Sequence, residues 1–411
     1  MFSFLLDLFQ IFFSLLFLVT VQGAPTIIVS SDGFRWDYYG RIETPGIDKI
    51  IEKGVHVKNL KNSFATVTFP NHYSLVTGKY EESHGIVDNS MYDPDLDATF
   101  DMSTVDPVWW SEGEPVWVTA SKLGIKSVCV NWVGCAIEGQ RPTFWNEFNG
   151  SIPYEERIDR IVDRMQEAHL GLLYFEEPDH SCHEFGPDSP EVDEAIRRVD
   201  NAILALLDKV DLNEVNVIFT SDHGGIGVDA ERIVVLKDHS TYQFSLAASG
   251  AVAHVWPINL EETDSLLSDL NESISKSEAT CFAKNAIPNR LHYSNNPRIA
   301  PIVCIAELGW SLVETTEEKN DFTLKGSHGY DASRDGNSPM RPIFVAGGPG
   351  IKERRNVILA PFENVHVFPL VATLIGIPEA SFPQMNGTLH EIRHLLNGES
   401  VPDSQTVVLQ W

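Results

Sequence analysis

Metal-binding residue types are concentrated in the stretch YFEEPDHSCHEFG, residues 174–186, at the end of an apolar run. Asp179 and His183 stand four positions apart, a spacing that puts two side chains on one face when the chain is helical. Carboxylate and imidazole groups together suit zinc better than calcium or magnesium. The stretch therefore predicts part of a metal site.

Four more candidate ligands of these two types stand in other motifs of the chain. Asp32 is in SSDGF, Asp222 and His223 are adjacent in TSDHGG, and His328 is in KGSHGYD. The two glycines after His223 allow the backbone to turn sharply there. Together with the central pair they make three aspartates and three histidines, which is enough to hold two cations.

A two-metal site that does chemistry needs a nucleophile, and the run ATVTFPNHYSLVTG offers one in Thr68. A threonine hydroxyl is inert at neutral pH unless a base or a cation lowers its pKa. His72 lies in the same run and is a candidate for that base. We favour a structural role for His72, satisfied by the backbone, because a cation would already activate the hydroxyl.

Three short apolar runs, each ending in an aspartate, are the elements that would position these groups. PTIIVSSD ends at Asp32, LGLLYFEEPD at Asp179 and VNVIFTSD at Asp222. Such runs are typical of buried parallel strands, whose carboxyl ends form the ligand site of an open sheet. A helix is predicted after Ser189 and Pro190, which supply a cap and a first turn. Its apolar positions are Val192, Ile196, Val199, Ile203 and Leu206.

Strand, helix and strand in this order predict an α/β fold, a layered domain with a mostly parallel central sheet. Residues 25–411 are expected to form one domain. The patterning weakens over residues 230–325, where Asn-, Ser- and Pro-rich pieces such as HYSNNPRIAP occur. We interpret that segment as an inserted subdomain that covers one side of the site.

Residues 1–24 are predicted to be a secretory signal, which would place the mature protein outside the cell. Their uninterrupted apolar run is short for a membrane span, but no basic residue precedes Arg35 and Asp7 interrupts the start. A retained signal anchor therefore stays open as an alternative. No later stretch is apolar enough to cross a membrane, so no stable span is expected after signal removal.

Cysteines and sequons agree with an extracellular location. Five cysteines would meet an oxidising compartment, and an odd number leaves at least one unpaired, with the pairing undetermined. Three sequons, at Asn149, Asn271 and Asn386, are compatible with glycosylation. We therefore expect a secreted glycoprotein.

The formal net charge is −28, which argues against nucleic acid or an anionic membrane surface as the main partner. A nucleic-acid-binding surface is therefore not expected. An anionic small molecule would be bound only where something local offsets the repulsion, and bound cations would do so. The candidate metal ligands would supply such cations, so an anionic substrate is compatible with the charge of the chain.

The spaced motifs resemble the catalytic domain of the ectonucleotide pyrophosphatase/phosphodiesterases, in the alkaline phosphatase superfamily. The resemblance covers nearly all the chain after the signal. It is carried, in order, by Asp32 and by the segments TFPNHYSLVTG, ESHGIVDN, EEPDHSCHEFGP, SDHGG, GSHGYD and PFENVHV. Several motifs in the right order are far more specific than any one of them.

The resemblance implies an alkaline-phosphatase-like fold and two zinc ions as cofactors. One zinc would be held by Asp32, Thr68, Asp222 and His223, and the other by Asp179, His183 and His328. Thr68 would be the nucleophile and would form a phosphothreonine intermediate. Asn89, in GIVDN, would steady a non-bridging phosphate oxygen, and Phe148, before NGSIPYEERI, would stack on a nucleotide base.

The implied activity is that of a zinc-dependent phosphodiesterase and nucleotide pyrophosphatase that releases nucleoside 5'-monophosphates from a small phosphodiester substrate. Relatives that act on nucleoside triphosphates often carry lysines where this chain has Val67 and Ser90. We therefore expect a weaker preference for triphosphates. A choline-phosphodiester or lysophospholipid substrate, as in lipid-directed members of the family, remains an alternative.

Two further interpretations come from other functional classes. The segment HEIRH, from His390 to His394, matches the H-E-x-x-H pattern of zinc proteases, but we favour a solvated amphipathic terminal helix. A secreted binding protein without turnover is the other alternative, and the full ligand set argues against it. Cys182 is expected to fill a tight turn rather than to bind zinc.

Overall fold

The computed structural model describes residues 23–333, 338–398 and 406–407, the last pair for the backbone only. Residues 1–22 of the predicted signal lie outside the described residues. Within that described part, no helix combines the length and the apolar character that crossing a bilayer requires.

Short strands alternate with helices along the chain. The strands are β1 Thr26–Ser31, β2 Gly54–Val57, β3 Leu60–Lys61, β4 Met91–Asp93, β5 Ala98–Phe100, β6 Ser127–Val130, β7 Phe144–Trp145, β8 Leu170–Phe175, β9 Asn216–Thr220, β10 Ile226–Gly227, β11 Ile233–Val235, β12 Phe244–Leu246, β13 Val252–Pro257, β14 Ala279–Ala283, β15 Ile302–Ala306, β16 Ser311–Val313, β17 Gly326–Ser327, β18 Phe344–Gly347, β19 Ile358–Leu359, β20 Phe362–Glu363 and β21 Thr406–Val407. The α-helices are α1 Pro45–Glu52, α2 Thr68–Thr77, α3 Glu81–His84, α4 Val116–Lys122, α5 Tyr154–Met165, α6 Asp179–Phe185, α7 Pro190–Leu207, α8 Thr263–Ser273, α9 Thr316–Asn320, α10 Val367–Leu374 and α11 Leu389–Ile392.

The central sheet has nine strands in the order β21-β19-β2-β18-β9-β1-β8-β6-β7. Strand β1 lies between β8 and β9 and is parallel to both, with Thr26 opposite Leu170 and Asn216. The three apolar runs therefore form neighbouring parallel strands, as predicted, and their carboxyl ends meet at one edge. Strand β18 is antiparallel to its neighbours β9 and β2, so the sheet is mostly, not wholly, parallel.

Both faces of this sheet are covered, as continuous apolar strands require. Along β1, Ile27 and Val29 belong to one core, while Ile28 belongs to the core on the opposite face. Helix α7 packs against α1 and α5 on the first of these faces. The hydroxyl of Ser189 caps α7 by accepting from the backbone N–H of Val192 at 3.3 Å, so the predicted helix start is confirmed.

A separate four-stranded antiparallel sheet, in the order β12-β13-β15-β14, forms from the chain between β9 and β18. It has its own core, to which Val255, Leu266 and Ile302 contribute. A disulfide joins Cys281 on β14 to Cys304, its partner across the antiparallel ladder on β15. The predicted limits of the insertion, residues 230–325, stay a prediction.

Candidate metal centre

The three aspartates that end the apolar runs come together at the carboxyl edge of the sheet. Asp32 directly follows β1 and is 3% exposed, and Asp222 follows β9 and is 1% exposed. The Nε2 atom of His223 lies 3.3 Å from Oδ1 of Asp32 and 3.2 Å from Oδ2 of Asp222. Three groups predicted to share one cation are thus in contact.

A second group lies beside the first. Asp179 begins α6, and Oδ2 of Asp179 is 3.2 Å from Nε2 of His183, one helical turn later. Nε2 of His328 is 3.8 Å from the other oxygen of Asp179. The rings of His223 and His328 stack with their centroids 3.6 Å apart, so the two groups form one continuous centre.

Each of the three histidines is oriented by the backbone. The Nδ1 atoms lie 2.8 to 3.1 Å from main-chain carbonyl oxygens, His183 with Gly326, His223 with Gly224 and His328 with Thr66. A carbonyl oxygen only accepts, so these Nδ1 atoms carry the proton and donate it. In a neutral ring this leaves the lone pair on Nε2, which faces the aspartates.

The arrangement fits cations because acceptors face one another in a buried space. Oδ1 of Asp32 and Oδ2 of Asp222 are buried without a hydrogen-bond partner. Burial, and then the charges of Asp222 and Asp179, raise the pKa of Asp32 well above its usual value. The carboxylates of Asp32 and Asp222 and the Nε2 lone pair of His223 repel one another at these distances unless a positive ion lies among them.

Protonation takes the place of a cation at one position. Burial lowers the pKa of His183, but Asp179 outweighs burial and the pKa rises to about 9. The pKa of His328 falls to about 3, through burial and then His223, so that ring stays neutral. Binding of a cation at Asp179 therefore has to release the proton from His183.

Thr68 is the first residue of α2, and its hydroxyl is half-buried at the edge of the centre. Its Oγ1 atom lies 3.3 Å from Nε2 of His223. The amino-terminal end of a helix carries a partial positive charge, which favours an anion beside this hydroxyl. Thr68 thus has the position that a nucleophile needs.

His72 supports the helix that carries Thr68. Its Nε2 atom bonds the hydroxyl of Ser30 at 2.8 Å, and its Nδ1 atom bonds the carbonyl oxygen of Thr68 at 2.9 Å. Nδ1 is also 3.3 Å from Oδ2 of Asp222, but the carbonyl is closer. Both ring nitrogens therefore have buried partners other than the Thr68 hydroxyl, and His72 also converges with Asp32 and Asp222 as a potential metal ligand, so its structural role stays a prediction.

Asn89 is fixed in place by its side-chain oxygen, which accepts the backbone N–H of Phe69 at 2.8 Å. Its amide nitrogen has no hydrogen-bond acceptor among the residues that the structure describes. The side chain is half-buried next to Thr68 in α2. Asn89 thus presents two N–H donors beside the candidate nucleophile, where a phosphate oxygen would need them.

Phe148 is 63% exposed and reaches the centre through one contact. Its ring lies edge-on to Tyr174, with the centroids 6.1 Å apart, and the Tyr174 hydroxyl donates to Oδ2 of Asp32 at 2.6 Å. Tyr174 is a site residue that our sequence analysis missed, because it lies within the apolar run of β8. A hydroxyl next to the last residue of a buried strand was the available signal.

Cys182 is buried on α6 without a disulfide partner, whereas Cys129 and Cys135 form the second disulfide of the described chain. Burial, and then Asp179, raise the pKa of the Cys182 thiol to about 12, so it is protonated at neutral pH. A Cβ atom on Gly326 would come within 2.6 Å of the sulfur. Cys182 fills a tight space against Gly326, which supports the prediction that it is a packing residue rather than a metal ligand.

Cys182→Ala is expected to leave the metal content of the protein unchanged. The loss of a buried sulfur should lower the free energy of unfolding by roughly 1–2 kcal/mol, as for other small buried truncations. Elemental analysis and denaturant titration measure the two quantities. Loss of a bound ion would show that the thiol is a ligand after all.

The HEIRH segment does not form a metal site in the structure. Helix α11 ends at Ile392, His390 is exposed and His394 is turned into the interior. Among the described residues, neither histidine belongs to a group of three or more potential ligands with converging atoms. The spacing of the protease motif is present, but the helix ends before His394, so the two histidines do not lie on one helical face as the motif requires.

Comparison with known proteins agrees with this geometry. A family model described as type I phosphodiesterase / nucleotide pyrophosphatase matches residues 26–331. Human ectonucleotide pyrophosphatase/phosphodiesterase family member 5 is 35% identical over 405 residues, covering 93% of this chain and 81% of the human protein. The bis(5'-adenosyl)-triphosphatase of Xenopus laevis is 35% identical over 383 residues, covering 90% of this chain and 81% of that protein.

Solved structures show the same relationship. Murine ectonucleotide pyrophosphatase/phosphodiesterase 5 has a TM-score of 0.84 at 34% identity, covering 91% of this chain and 100% of that one. Its inactive threonine-to-alanine variant in complex with AMP also has a TM-score of 0.84, at 33% identity and with the same coverage. The predicted α/β, alkaline-phosphatase-like fold is thereby confirmed. The chain belongs to the ectonucleotide pyrophosphatase/phosphodiesterase family of hydrolases that act on phosphodiester bonds.

Proposed function

We propose that this protein is a secreted, zinc-dependent nucleotide phosphodiesterase that releases nucleoside 5'-monophosphates by way of a threonine-bound intermediate. The observation that carries the proposal is the contact of the Thr68 hydroxyl with the buried centre through His223. The same centre holds two carboxylate oxygens without hydrogen-bond partners, on Asp32 and Asp222. A hydroxyl beside two carboxylates can attack a phosphate group only where cations offset the negative charge of those carboxylates.

The donor set supports two zinc ions. Asp32, Asp222, His223 and the Thr68 oxygen would hold one ion, and Asp179, His183 and His328 would hold the other. When bound, the pair supplies a lowered pKa for a hydroxyl or a water and positive charge for both ends of an in-line displacement. Mixed carboxylate and imidazole ligands favour zinc over the harder cations.

In the first step, the Thr68 hydroxyl gives up its proton to solvent and its oxygen forms a bond to the substrate phosphorus; the proton is restored to Thr68 from the attacking water in the second step. The bond between phosphorus and the leaving-group oxygen breaks, and the nucleoside phosphate remains esterified to Thr68. A water then adds to phosphorus and the bond to Thr68 breaks, which releases the nucleoside 5'-monophosphate. The amide of Asn89 would donate to a non-bridging oxygen as negative charge develops there.

The proposed substrate class follows from Phe148 and from the relatives. An exposed ring beside the centre offers a flat surface on which a nucleobase can stack. The inactive threonine-to-alanine variant of the murine neighbour was solved in complex with AMP. With Val67 and Ser90 flanking Thr68 and Asn89, no cation adjoins either residue in sequence to hold the outer phosphates of a triphosphate.

Secretion is proposed from the disulfides and the apolar start of the chain. Cys129 is joined to Cys135 and Cys281 to Cys304, which is typical of proteins that fold in an oxidising compartment. The proposed signal segment would direct the chain there.

A substrate panel tests the proposed function. The purified protein is expected to release nitrophenol from the p-nitrophenyl ester of thymidine 5'-monophosphate, and faster than it cleaves ATP or p-nitrophenyl phosphocholine. A chelator should abolish release, and added zinc should restore it. A protein that cleaves the choline ester and none of the nucleotide esters would have a lipid-type substrate instead, and ATP as the fastest substrate would refute the inference from Val67 and Ser90.

Glu391→Gln separates this proposal from the protease interpretation. Nucleotide ester cleavage and metal content are expected to stay within about twofold of the parent, because the exposed Glu391 lies outside the centre and surface substitutions have small effects. Both are measured on the same preparation, together with cleavage of a casein substrate. Casein cleavage by the parent that disappears in the variant would favour the protease.

A further inference from the structure

The segment that carries Phe148 is held from one side by Asn131. Phe148 lies in residues 146–149, which follow the short edge strand β7 and are exposed or half-buried. Asn131 comes directly after β6, at the carboxyl edge of the sheet, and is only 2% exposed. One buried polar side chain therefore lies behind an exposed segment.

Three hydrogen bonds connect Asn131 to that segment. Its Nδ2 atom donates to the carbonyl oxygen of Asn149 at 3.0 Å. Its Oδ1 atom accepts from Nδ2 of Asn146 at 2.6 Å and from the backbone N–H of Asn149 at 3.3 Å. The residues on both sides of Phe148 are thus fixed by the same side chain.

Asn131 is itself rigidly placed. Its φ angle is +62°, in the left-handed region that asparagine tolerates better than most residues with a side chain. The disulfide between Cys129 and Cys135 closes the short loop in which it lies. The side chain therefore presents its amide from a constrained backbone, and this rigidity is what a fixed contact surface needs.

We propose that Asn131 is a positioning residue for nucleoside recognition, acting by holding the Phe148 ring in place beside Tyr174. This inference rests on the proposed function, in which Phe148 contacts the base. Without the three hydrogen bonds, the exposed segment would have to be ordered each time a nucleoside binds, which weakens binding. The reacting centre would not change, because Asn131 contacts none of its residues through a hydrogen bond among the described contacts.

The test compares two substrates with the same leaving group. In Asn131→Gly, which accepts the positive φ and removes the side chain, the KM for p-nitrophenyl thymidine 5'-monophosphate is expected to rise about tenfold with little change in kcat. For p-nitrophenyl methyl phosphate, which has no base, kcat/KM should stay within about twofold. Asn131→Asp sets a carboxylate oxygen against the carbonyl oxygen of Asn149 in a buried place, and should raise this KM by at least as much as Asn131→Gly.

A double variant shows whether Asn131 acts through the ring. Asn131→Gly combined with Phe148→Ala should raise the KM for the nucleoside ester no further than Phe148→Ala alone. An additive effect, an equal loss on both esters, or an unchanged KM in Asn131→Gly would each overturn the inference. A parent protein that cleaves neither ester would overturn the proposed function instead, and this inference with it. Denaturant titration confirms that each variant is folded.

Discussion

Thr68→Ala is expected to lower the turnover of nucleotide esters by about 10³-fold or more, because the substitution removes the atom that would bond to phosphorus. The fold should be retained, since Thr68 is half-buried at the start of α2 and is not its cap. Metal content should stay close to that of the parent, because carboxylates and imidazoles dominate the ligand set. Steady-state kinetics with a nitrophenyl ester and elemental analysis measure both.

Two control variants separate loss of the nucleophile from a general effect of substitutions in α2. Thr68→Ser keeps a hydroxyl and is expected to retain activity within about tenfold. Thr77→Ala removes a threonine hydroxyl from the last turn of the same helix, where it bonds the carbonyl oxygen of Tyr73, and should leave turnover nearly unchanged. After an acid quench, mass spectrometry should find a nucleotidyl group on the Thr68 peptide of the parent. A Thr68→Ala protein as active as the parent would end the proposal of covalent catalysis.

Asp32→Asn is expected to remove about one bound ion and to lower kcat/KM by about 10³-fold or more, because a neutral amide replaces an anionic ligand. In the metal-free protein, by contrast, the same substitution should not lower the free energy of unfolding. There, the pKa of Asp32 is raised by burial and by two neighbouring carboxylates, so the ionised form costs stability above that pKa. An asparagine avoids that cost and still accepts from the Tyr174 hydroxyl.

The pH dependence follows from the sign of the shift. A carboxyl whose folded pKa is raised stabilises the fold fully below the unfolded pKa, and that contribution is lost as the pH rises through the folded pKa. At neutral pH, metal-free Asp32→Asn should therefore be at least as stable as metal-free parent, and its advantage should shrink on acidification. Denaturant titration in chelator at several pH values measures this.

A buried aspartate outside the centre is the matched control. Asp200 accepts the backbone N–H groups of Gly46 and Ile47 at the start of α1. Asp200→Asn should keep both ions and normal turnover while losing stability, by roughly 1 kcal/mol. If Asp32→Asn keeps both ions, Asp32 is not a ligand. If metal-free Asp32→Asn is much less stable than the metal-free parent, the ionised Asp32 carboxylate does not destabilise the metal-free fold.

Local patterns in the sequence were sufficient for the elements that carry the centre. The apolar run before Asp32 needs only its own residues to be recognised as a strand, and Ser189 with Pro190 marks the start of α7 in the same way. Strands of this kind pair in parallel and bring their ends together. The closeness of Asp32, Asp179 and Asp222 follows from that rule.

Roles that depend on distant partners could not be predicted. Tyr174 has a local signal in its place next to the end of a buried strand, but its partner is set by the pairing of β8 with β1, which brings its hydroxyl to Asp32, 142 positions earlier. The pairing of Cys281 with Cys304 depends on the register between β14 and β15, which no local pattern specifies. Conversely, HEIRH satisfies a spacing rule but lies at the end of a helix too short to use it.

The main-chain carbonyl groups that orient the three histidines have a consequence for how this centre tolerates mutational drift. Replacing a side chain does not delete a carbonyl oxygen, so substitutions at Thr66 or elsewhere in these loops leave the hydrogen-bond acceptors in existence. Two of the aspartates also accept side-chain hydroxyl groups: Tyr174 donates to Asp32, and Ser221 donates to Asp222, which accepts the backbone N–H groups of Gly33 and His223 as well. Efforts to retune the metal preference of the centre should therefore begin with Tyr174 and Ser221.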